Sequence, residues 1–228
     1  MIKTPAAKQL PLPIPASTAV GAADFLVADS NRDAVRWLDA WPDWPGGGLL
    51  LHGPTASGKS HLAAIWAARS AAKHLEAQNL TVSLALDLQT AVAVDGIEAA
   101  PEPKALFHLI NTARARDLPF LLTARQPAAA WSSGLADLDS RLRALPSVGL
   151  QAPDDALLAA LAAKLFADRQ ITVPDDVIAF MLSRLERSCA AVAAAVERLD
   201  AAAYAKRRRV TRALAQQVLA TPNDDQRG

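Results

Sequence analysis

Gly53-Pro54-Thr55-Ala56-Ser57-Gly58-Lys59-Ser60 is the stretch on which the fold turns. It satisfies G-x-x-x-x-G-K-[ST] at every fixed position, and chemistry explains the spacing. The glycines allow a tight turn in which successive backbone N–H groups converge on one cavity. A helix starting at Lys59 adds its positive dipole end and its free N–H groups. Lys59 would reach the β- and γ-phosphates of a nucleotide, ADP or ATP, and the Ser60 hydroxyl would hold Mg²⁺. A chance match in a surface loop is the bland alternative. The flanks argue against it: Leu49-Leu50-Leu51-His52 reads as a short buried parallel strand, and a helix-forming run follows from Lys59 to about Lys73.

Outward from this loop the pattern alternates. Ser30 or Asn31 can cap a helix over residues 32–40, with Val35 and Leu38 inward. Thr81 to Leu86 is expected as a second strand and Ala91 to Asp95 as a third. Phe107, Leu109 and Ile110 mark a helix. Pro119 to Thr123 reads as a fourth strand and Val148 to Leu150 as a fifth. After Pro153 no strand candidates remain. Alanine and leucine dominate four expected helices, near 154–168, 175–187, 189–206 and 211–220, each with an aspartate, Ser188 or Thr211 at its start. The expected class is α/β: a P-loop base with a parallel sheet flanked by helices, then an all-helical lid. The expected division is an extended tail over 1–20, the base over 21–152, the lid over 153–222, and a disordered end over 223–228.

The totals narrow the function. A chain of 228 residues with 51% hydrophobic and 21% charged residues is long enough for one sizeable core plus an appended domain. Net charge is only +1, whereas binding DNA through its phosphates requires a clear cationic excess. Strong direct DNA binding is therefore not expected. Cys189 is the only cysteine, which suits a reducing cytoplasm. His52, His61, His74 and His108 show no metal-ligand spacing and read as structural by that test. Neither a signal peptide nor a membrane span is apparent.

Three further segments carry chemistry. Ala93-Val94-Asp95 ends a buried strand, where Asp95 would complete the Mg²⁺ shell; a plain Asp-Gly turn at Asp95-Gly96 is the alternative. Gln9-Leu10-Pro11-Leu12-Pro13-Ile14 presents an amide and spaced apolar side chains, held extended by prolines. That form suits docking in a shallow hydrophobic pocket, or simply a rigid leader. Lys206 to Arg209 is the densest basic run; it reads as a favourably charged helix end or as a contact to DNA or protein.

Together these residues resemble the DnaA-related AAA+ proteins, most closely the Hda group, the regulatory inactivators of DnaA. The resemblance covers nearly the whole chain. Gln9 to Ile14 is similar to that group's clamp-binding hexapeptide, which makes Gln9, Leu10, Leu12, Pro13 and Ile14 the implied contacts to the sliding clamp. Phe25-Leu26-Val27 with Ser30-Asn31-Arg32 resembles the family segment lying near the adenine. Gly53 to Leu62 looks like its Walker A motif with the following His-Leu, so the implied nucleotide set runs from Gly53 through His61. Val94 to Glu98 looks like Walker B. Leu135 to Leu142 resembles the segment ending in the arginine finger, which falls on Arg141. Spacing alone would leave Arg141 a surface arginine paired with Arg143. Val173-Pro174-Asp175-Asp176 looks like the start of the lid's second helix.

The resemblance implies a protein that sits on the DNA-loaded clamp in the bacterial cytoplasm and stimulates hydrolysis of ATP bound to DnaA, limiting initiation of replication. A homo-oligomer is left open. Four departures stand out. Gly96 takes the place of a polar or acidic Walker B residue, with Glu98 two positions on. Thr123-Ala124-Arg125-Gln126 alters the sensor segment after the fourth strand. Ala190 stands where the lid's sensor arginine is expected, with Arg187 close but off position. These three favour stable nucleotide binding over turnover by this chain alone. Fourth, between Leu86 and Ala91 there is no room for the crossover of about a dozen residues that parallel neighbours need. The competing readings are a DNA-binding initiator or helicase loader, a small-molecule P-loop kinase, a clamp-loader subunit, and a clamp-bound adaptor with another partner. The first would need a further helix-turn-helix domain, the kinase would not need the tail hexapeptide, and the clamp loader would need a collar domain.

Overall fold

The computed structural model describes residues 25–206 and 208–220; the Gln9–Ile14 segment, the rest of the 1–20 tail and residues 223–228 lie outside them. Five strands form one parallel sheet: β1 (Gly48–His52), β2 (Lys73–Glu76), β3 (Val92–Asp95), β4 (Phe120–Ala124) and β5 (Ser147–Gly149), in the order β2-β3-β4-β1-β5. Helices α1 (Arg32–Asp39), α2 (Lys59–Ser70), α3 (Val82–Leu86), α4 (Pro103–Ala115) and α5 (Ala136–Arg143) belong to this base. Helices α6 (Asp155–Asp168), α7 (Asp175–Leu182), α8 (Cys189–Lys206) and α9 (Arg212–Leu219) follow the sheet.

The central strands are apolar on both faces because helices cover both, and the two-residue period decides which core each side chain joins. Leu49, Leu51, Ala93 and Leu121 point to one side, where they pack with Leu62, Ala63 and Trp66 of α2 and with Leu38 of α1. Leu50, Val92, Val94, Phe120 and Leu122 point to the other, against Leu106, Leu109 and Ile110 of α4 and Leu138 and Leu142 of α5. In α1 the buried positions are Ala34 and Leu38; Val35 is only partly covered. The lid encloses a third core of its own, with Leu158, Phe166, Met181, Val192, Val196, Leu199 and Leu214. Its helices start as their residues dictate. Asp154 accepts the Leu157 N–H at 2.7 Å, Ser188 accepts that of Ala191 at 3.0 Å, and Thr211 accepts that of Leu214 at 3.3 Å.

Several expectations are corrected. Thr81 to Leu86 is no strand. The alternation of Val82, Leu84 and Leu86 imitates a strand period, but the Thr81 hydroxyl accepts the Leu84 N–H at 3.2 Å and starts the short helix α3, which buries Ala85. The second strand is instead Lys73–Glu76, within and just beyond the expected end of α2. Its side chains are largely exposed because it forms an edge of the sheet, so no apolar run marks it. α2 stops at Ser70 because Ala71 takes a left-handed conformation (φ 53°) and the Ala72 N–H turns back to the Ala67 carbonyl at 2.9 Å. The missing crossover is thereby resolved: α3 and its flanking turns bridge Glu76 to Val92. In the lid, α7 ends at Leu182, short of 187. Ser183 donates to the Phe180 carbonyl at 2.8 Å, and the Ser188 cap requires a break before α8.

Among the described residues, no helix is long and apolar enough to cross a membrane.

Candidate functional site

In a parallel sheet the carboxyl ends of the strands open onto one edge, which is where ligands bind. Three candidate segments leave from that edge: the loop after β1, Asp95 at the end of β3, and Arg125 just past β4. The strand order places β4 between the other two.

The loop is tight for local reasons. A Cβ on Gly53 would lie 2.3 Å from the Leu150 carbonyl oxygen, a backbone atom that cannot yield, so only glycine fits. Gly58 is left-handed (φ 97°), and α2 begins directly after it. Ala56, also at positive φ (62°), is a non-glycine residue held in this region. Lys59 is buried and folds back over the loop. Its ammonium donates to the carbonyls of Gly53 at 2.9 Å and Pro54 at 2.7 Å, and approaches the Ser57 hydroxyl at 3.4 Å. Burial holds its pKa below the ordinary value; the Asp95 and Glu98 carboxylates oppose that shift and the Arg125 guanidinium adds to it. His52, at the end of β1, is likewise pushed down by burial first and then by Lys59. These charges define one electrostatic cluster around the loop.

Thr123 is fully buried and completes the Asp95 corner. Its hydroxyl donates to the Asp95 carboxylate and accepts the Gly96 N–H at 2.8 Å. The side chain thus fixes the acid against the strand end, a role that sequence alone did not disclose. The Glu98 carboxylate accepts the Arg125 N–H and acts on Lys59, so it faces the site. A hydroxyl (Ser60) and a carboxylate oriented by a hydrogen bond (Asp95) are the hard oxygen donors that Mg²⁺ takes, so this donor set suits the ion. Among the described residues there is no cluster of three or more His, Cys, Asp or Glu, so the remaining positions would fall to phosphate oxygens and water. His61, on the first turn of α2, stacks on Phe25 with ring centroids 5.5 Å apart. Asn31 ties down the same segment, accepting the Ala28 N–H at 2.9 Å and donating to the Leu26 carbonyl at 3.0 Å.

Arg141 occupies the last turn of α5, and its surroundings differ from those of Arg143. The Arg143 guanidinium is half exposed and lies 4.0 Å from Asp139. The Arg141 guanidinium lies 5.0 Å from the centre of the Phe107 ring of α4. Its Nε is buried without a hydrogen-bond partner among the described residues, beside a cleft of about 300 Å³ lined also by Arg114, Asp137 and Ser140. Asp139 pins the start of this helix: it accepts the Ser133 N–H at 2.9 Å and the Ser133 hydroxyl at 2.6 Å. These bonds from Ser133 hold its carboxyl below the ordinary value of 3.8. A depressed carboxyl stabilises the fold above its unfolded value, and that contribution is lost as pH falls through the folded one. Asp139→Asn is therefore expected to lose stability at neutral pH and to show a shallower acid-unfolding profile below about pH 4. Circular dichroism melts across that range check it; parallel profiles for both proteins would refute the role.

In the lid, Arg187 does not stand free for a phosphate. It pairs with Asp155 at 2.8 Å, and Ala190 carries no cation on α8.

Residues 154–219 match the family model described as Hda, lid domain. No curated protein matches the chain. Among solved structures, domain III of the Thermotoga maritima replication initiation protein DnaA aligns at a TM-score of 0.72 and 14% identity, over 89% of this chain and 96% of that one. AMPPCP-bound DnaA from Aquifex aeolicus aligns at 0.67 and 13% identity, over 80% of this chain and 65% of that one. The Thermotoga maritima RuvB Holliday junction branch migration motor aligns at 0.60 and 19% identity, over 78% and 63%. The chain thus spans about two-thirds of the length of these longer proteins. At such identities the likeness is one of fold.

Proposed function

We propose that this chain, whose residues 154–219 match the Hda lid-domain model and whose fold is that of DnaA domain III, is an Hda-like, DnaA-related AAA+ protein that acts as a clamp-anchored regulator and stimulates hydrolysis of ATP bound to DnaA. The observation that carries this reading is the Hda-type lid joined to a base with the fold of DnaA domain III. Gly53 to His61 hold a nucleotide, ADP or ATP, and Ser60 and Asp95 hold its Mg²⁺. The ion neutralises phosphate charge. Asp95 is kept in place by Thr123. The binding of AMPPCP by a DnaA of like fold supports the nucleotide assignment.

The reaction itself belongs to the partner. Arg141 offers a planar, permanently charged guanidinium to the γ-phosphate on DnaA, where charge spreads over the phosphoryl oxygens in the transition state. Turnover in cis is not favoured, because Gly96 supplies no carboxylate next to Asp95 and Ala190 no lid cation. Gln9, Leu10, Leu12, Pro13 and Ile14 anchor the protein to the sliding clamp. A short peptide binds weakly, but tethering raises the local concentration for the DnaA contact to about the millimolar range.

The test is hydrolysis of ATP pre-bound to DnaA, with DNA-loaded clamp, comparing the full chain with a variant lacking residues 9–14. Acceleration is expected only with the full chain. The variant should lose clamp retention in a pull-down and keep nucleotide binding; equal clamp retention would reject the role of the tail. No acceleration by a chain that does bind the clamp would reject DnaA as the partner and leave a clamp-bound adaptor.

A further inference from the structure

Four arginines stand at the C-terminal ends of α4 and α5: Arg114 and Arg116 on the first, Arg141 and Arg143 on the second. Two of them have acceptors. Arg116 donates to the Leu88 carbonyl, and Arg143 lies 4.0 Å from the Asp139 carboxylate. Arg114 and Arg141 have none among the described residues, and in both the Nε is buried. These two line the same cleft of about 300 Å³, with Asp137, Ser140 and Ala144. Phe107 and Arg114 are two turns apart on α4 and so share one of its faces, and the Arg141 guanidinium lies 5.0 Å from the centre of the Phe107 ring. The packing of α5 on α4 thus brings both cations to one opening. The Arg114 head rests beside the Pro45–Gly47 turn, its Nη2 3.8 Å from the place a Cβ on Gly46 would take.

The helix ends do not account for this pair. A cation in a last turn is favoured by the helix dipole, but that field gives a buried Nε–H no acceptor. Two like charges converging on one cleft also repel. The cleft sets against them a single exposed carboxylate, Asp137, which pairs with neither. An anion with several acceptor oxygens, entering from outside, would satisfy both guanidiniums. A phosphoryl group is such an anion, and it takes guanidinium N–H groups in parallel pairs.

We infer that Arg114 is the second cation of the site that Arg141 presents, and that both guanidiniums take the terminal phosphate of the nucleotide held by the partner protein. This rests on the proposed function and adds to it the residue that seats the phosphate before reaction. The Arg114 charge lacks a partner until the anion arrives, so its contact is gained on entry, ahead of any bond breaking. Its loss is therefore read in the concentration dependence of stimulation more than in the plateau rate.

Single-turnover hydrolysis of ATP pre-bound to DnaA, on DNA-loaded clamp, tests this with increasing amounts of wild type, Arg114→Ala, Arg114→Lys and Arg141→Ala. Arg114→Ala is expected to raise the half-maximal concentration at least about tenfold, the worth of a charge-assisted contact. Arg114→Lys should recover part of the loss, since the charge remains but the fork is gone. Without DnaA, the thermal midpoint of Arg114→Ala should stay at or above that of wild type, because one of two facing like charges has been removed. A helix-end cation with a structural role alone would lower the midpoint and leave the half-maximal concentration unchanged, and that result would overturn the inference. So would equal half-maximal concentrations for wild type and Arg114→Ala while Arg141→Ala has lost stimulation; the proposed function would then stand without Arg114. Absence of acceleration by the wild-type chain would overturn both.

Discussion

Arg141→Ala is expected to reduce the stimulation of DnaA-bound ATP hydrolysis by about a thousandfold or more, the range seen when an arginine supplied in trans is removed from phosphoryl transfer. The loss should be confined to that step. Among the described residues Arg141 makes no salt bridge, and its packing on Phe107 is a partly exposed cation–π contact worth about 0.5–1 kcal/mol. Its buried Nε makes no hydrogen bond among the described residues. The thermal midpoint, the affinity for ADP and retention on the clamp should therefore remain close to wild type. Arg141→Lys should recover little, because a point charge cannot reproduce a planar fork at the spreading phosphoryl charge. Single-turnover hydrolysis of labelled ATP on DnaA reads the effect directly. Acceleration by Arg141→Ala equal to that of wild type would remove Arg141 from the mechanism. Arg143→Ala, which changes the arginine facing Asp139, serves as the neighbouring control and should stay near wild type.

Lys59→Ala is expected to weaken ADP and ATP binding by about two orders of magnitude or more, through loss of a buried charge aimed at phosphate. The fold should not suffer in proportion. The ammonium is desolvated and held by the carbonyls of Gly53 and Pro54 and the Ser57 hydroxyl. Removing it leaves those acceptors short of one donor but also relieves a buried charge, and the two effects oppose each other. The measurable signature is a thermal midpoint that stays near wild type without ligand but no longer rises when nucleotide is added. A midpoint that rises as much as in wild type would reject the phosphate role of Lys59. A variant that fails to fold would show that the loop depends on the lysine itself, contrary to the argument.

The two variants address different partners, one the nucleotide on DnaA and the other the nucleotide on this chain. If Lys59→Ala also abolished stimulation of DnaA, nucleotide occupancy would be a precondition for presenting Arg141. The geometry offers a route, since Leu122 and Phe120 of β4 share a core with Leu138 and Leu142 of α5.

Much of this protein is determined by local sequence. The spacing of Gly53, Gly58, Lys59 and Ser60 suffices for the tight loop between β1 and α2, because turn geometry and a helix N-terminus are local properties. The apolar strands β1, β3 and β4 were legible because burial on both faces demands continuous hydrophobic runs. The lid helices announced themselves through Asp154, Ser188 and Thr211, whose side chains cap the backbone within three residues. The tertiary structure decided the rest. Lys73–Glu76 is a strand because β3 offers it hydrogen bonds, and an exposed edge needs no apolar pattern. Thr81 to Leu86 is a helix because α4 covers Ala85, although its own alternation favours a strand. Thr123 holds Asp95 only because β3 and β4 are neighbours, although 28 positions separate the two residues. Arg141 and Arg143, alike in sequence, part company when one falls on Phe107 and the other faces Asp139. Contacts between residues distant in the chain leave no periodic trace in it, so only the packed structure could assign them.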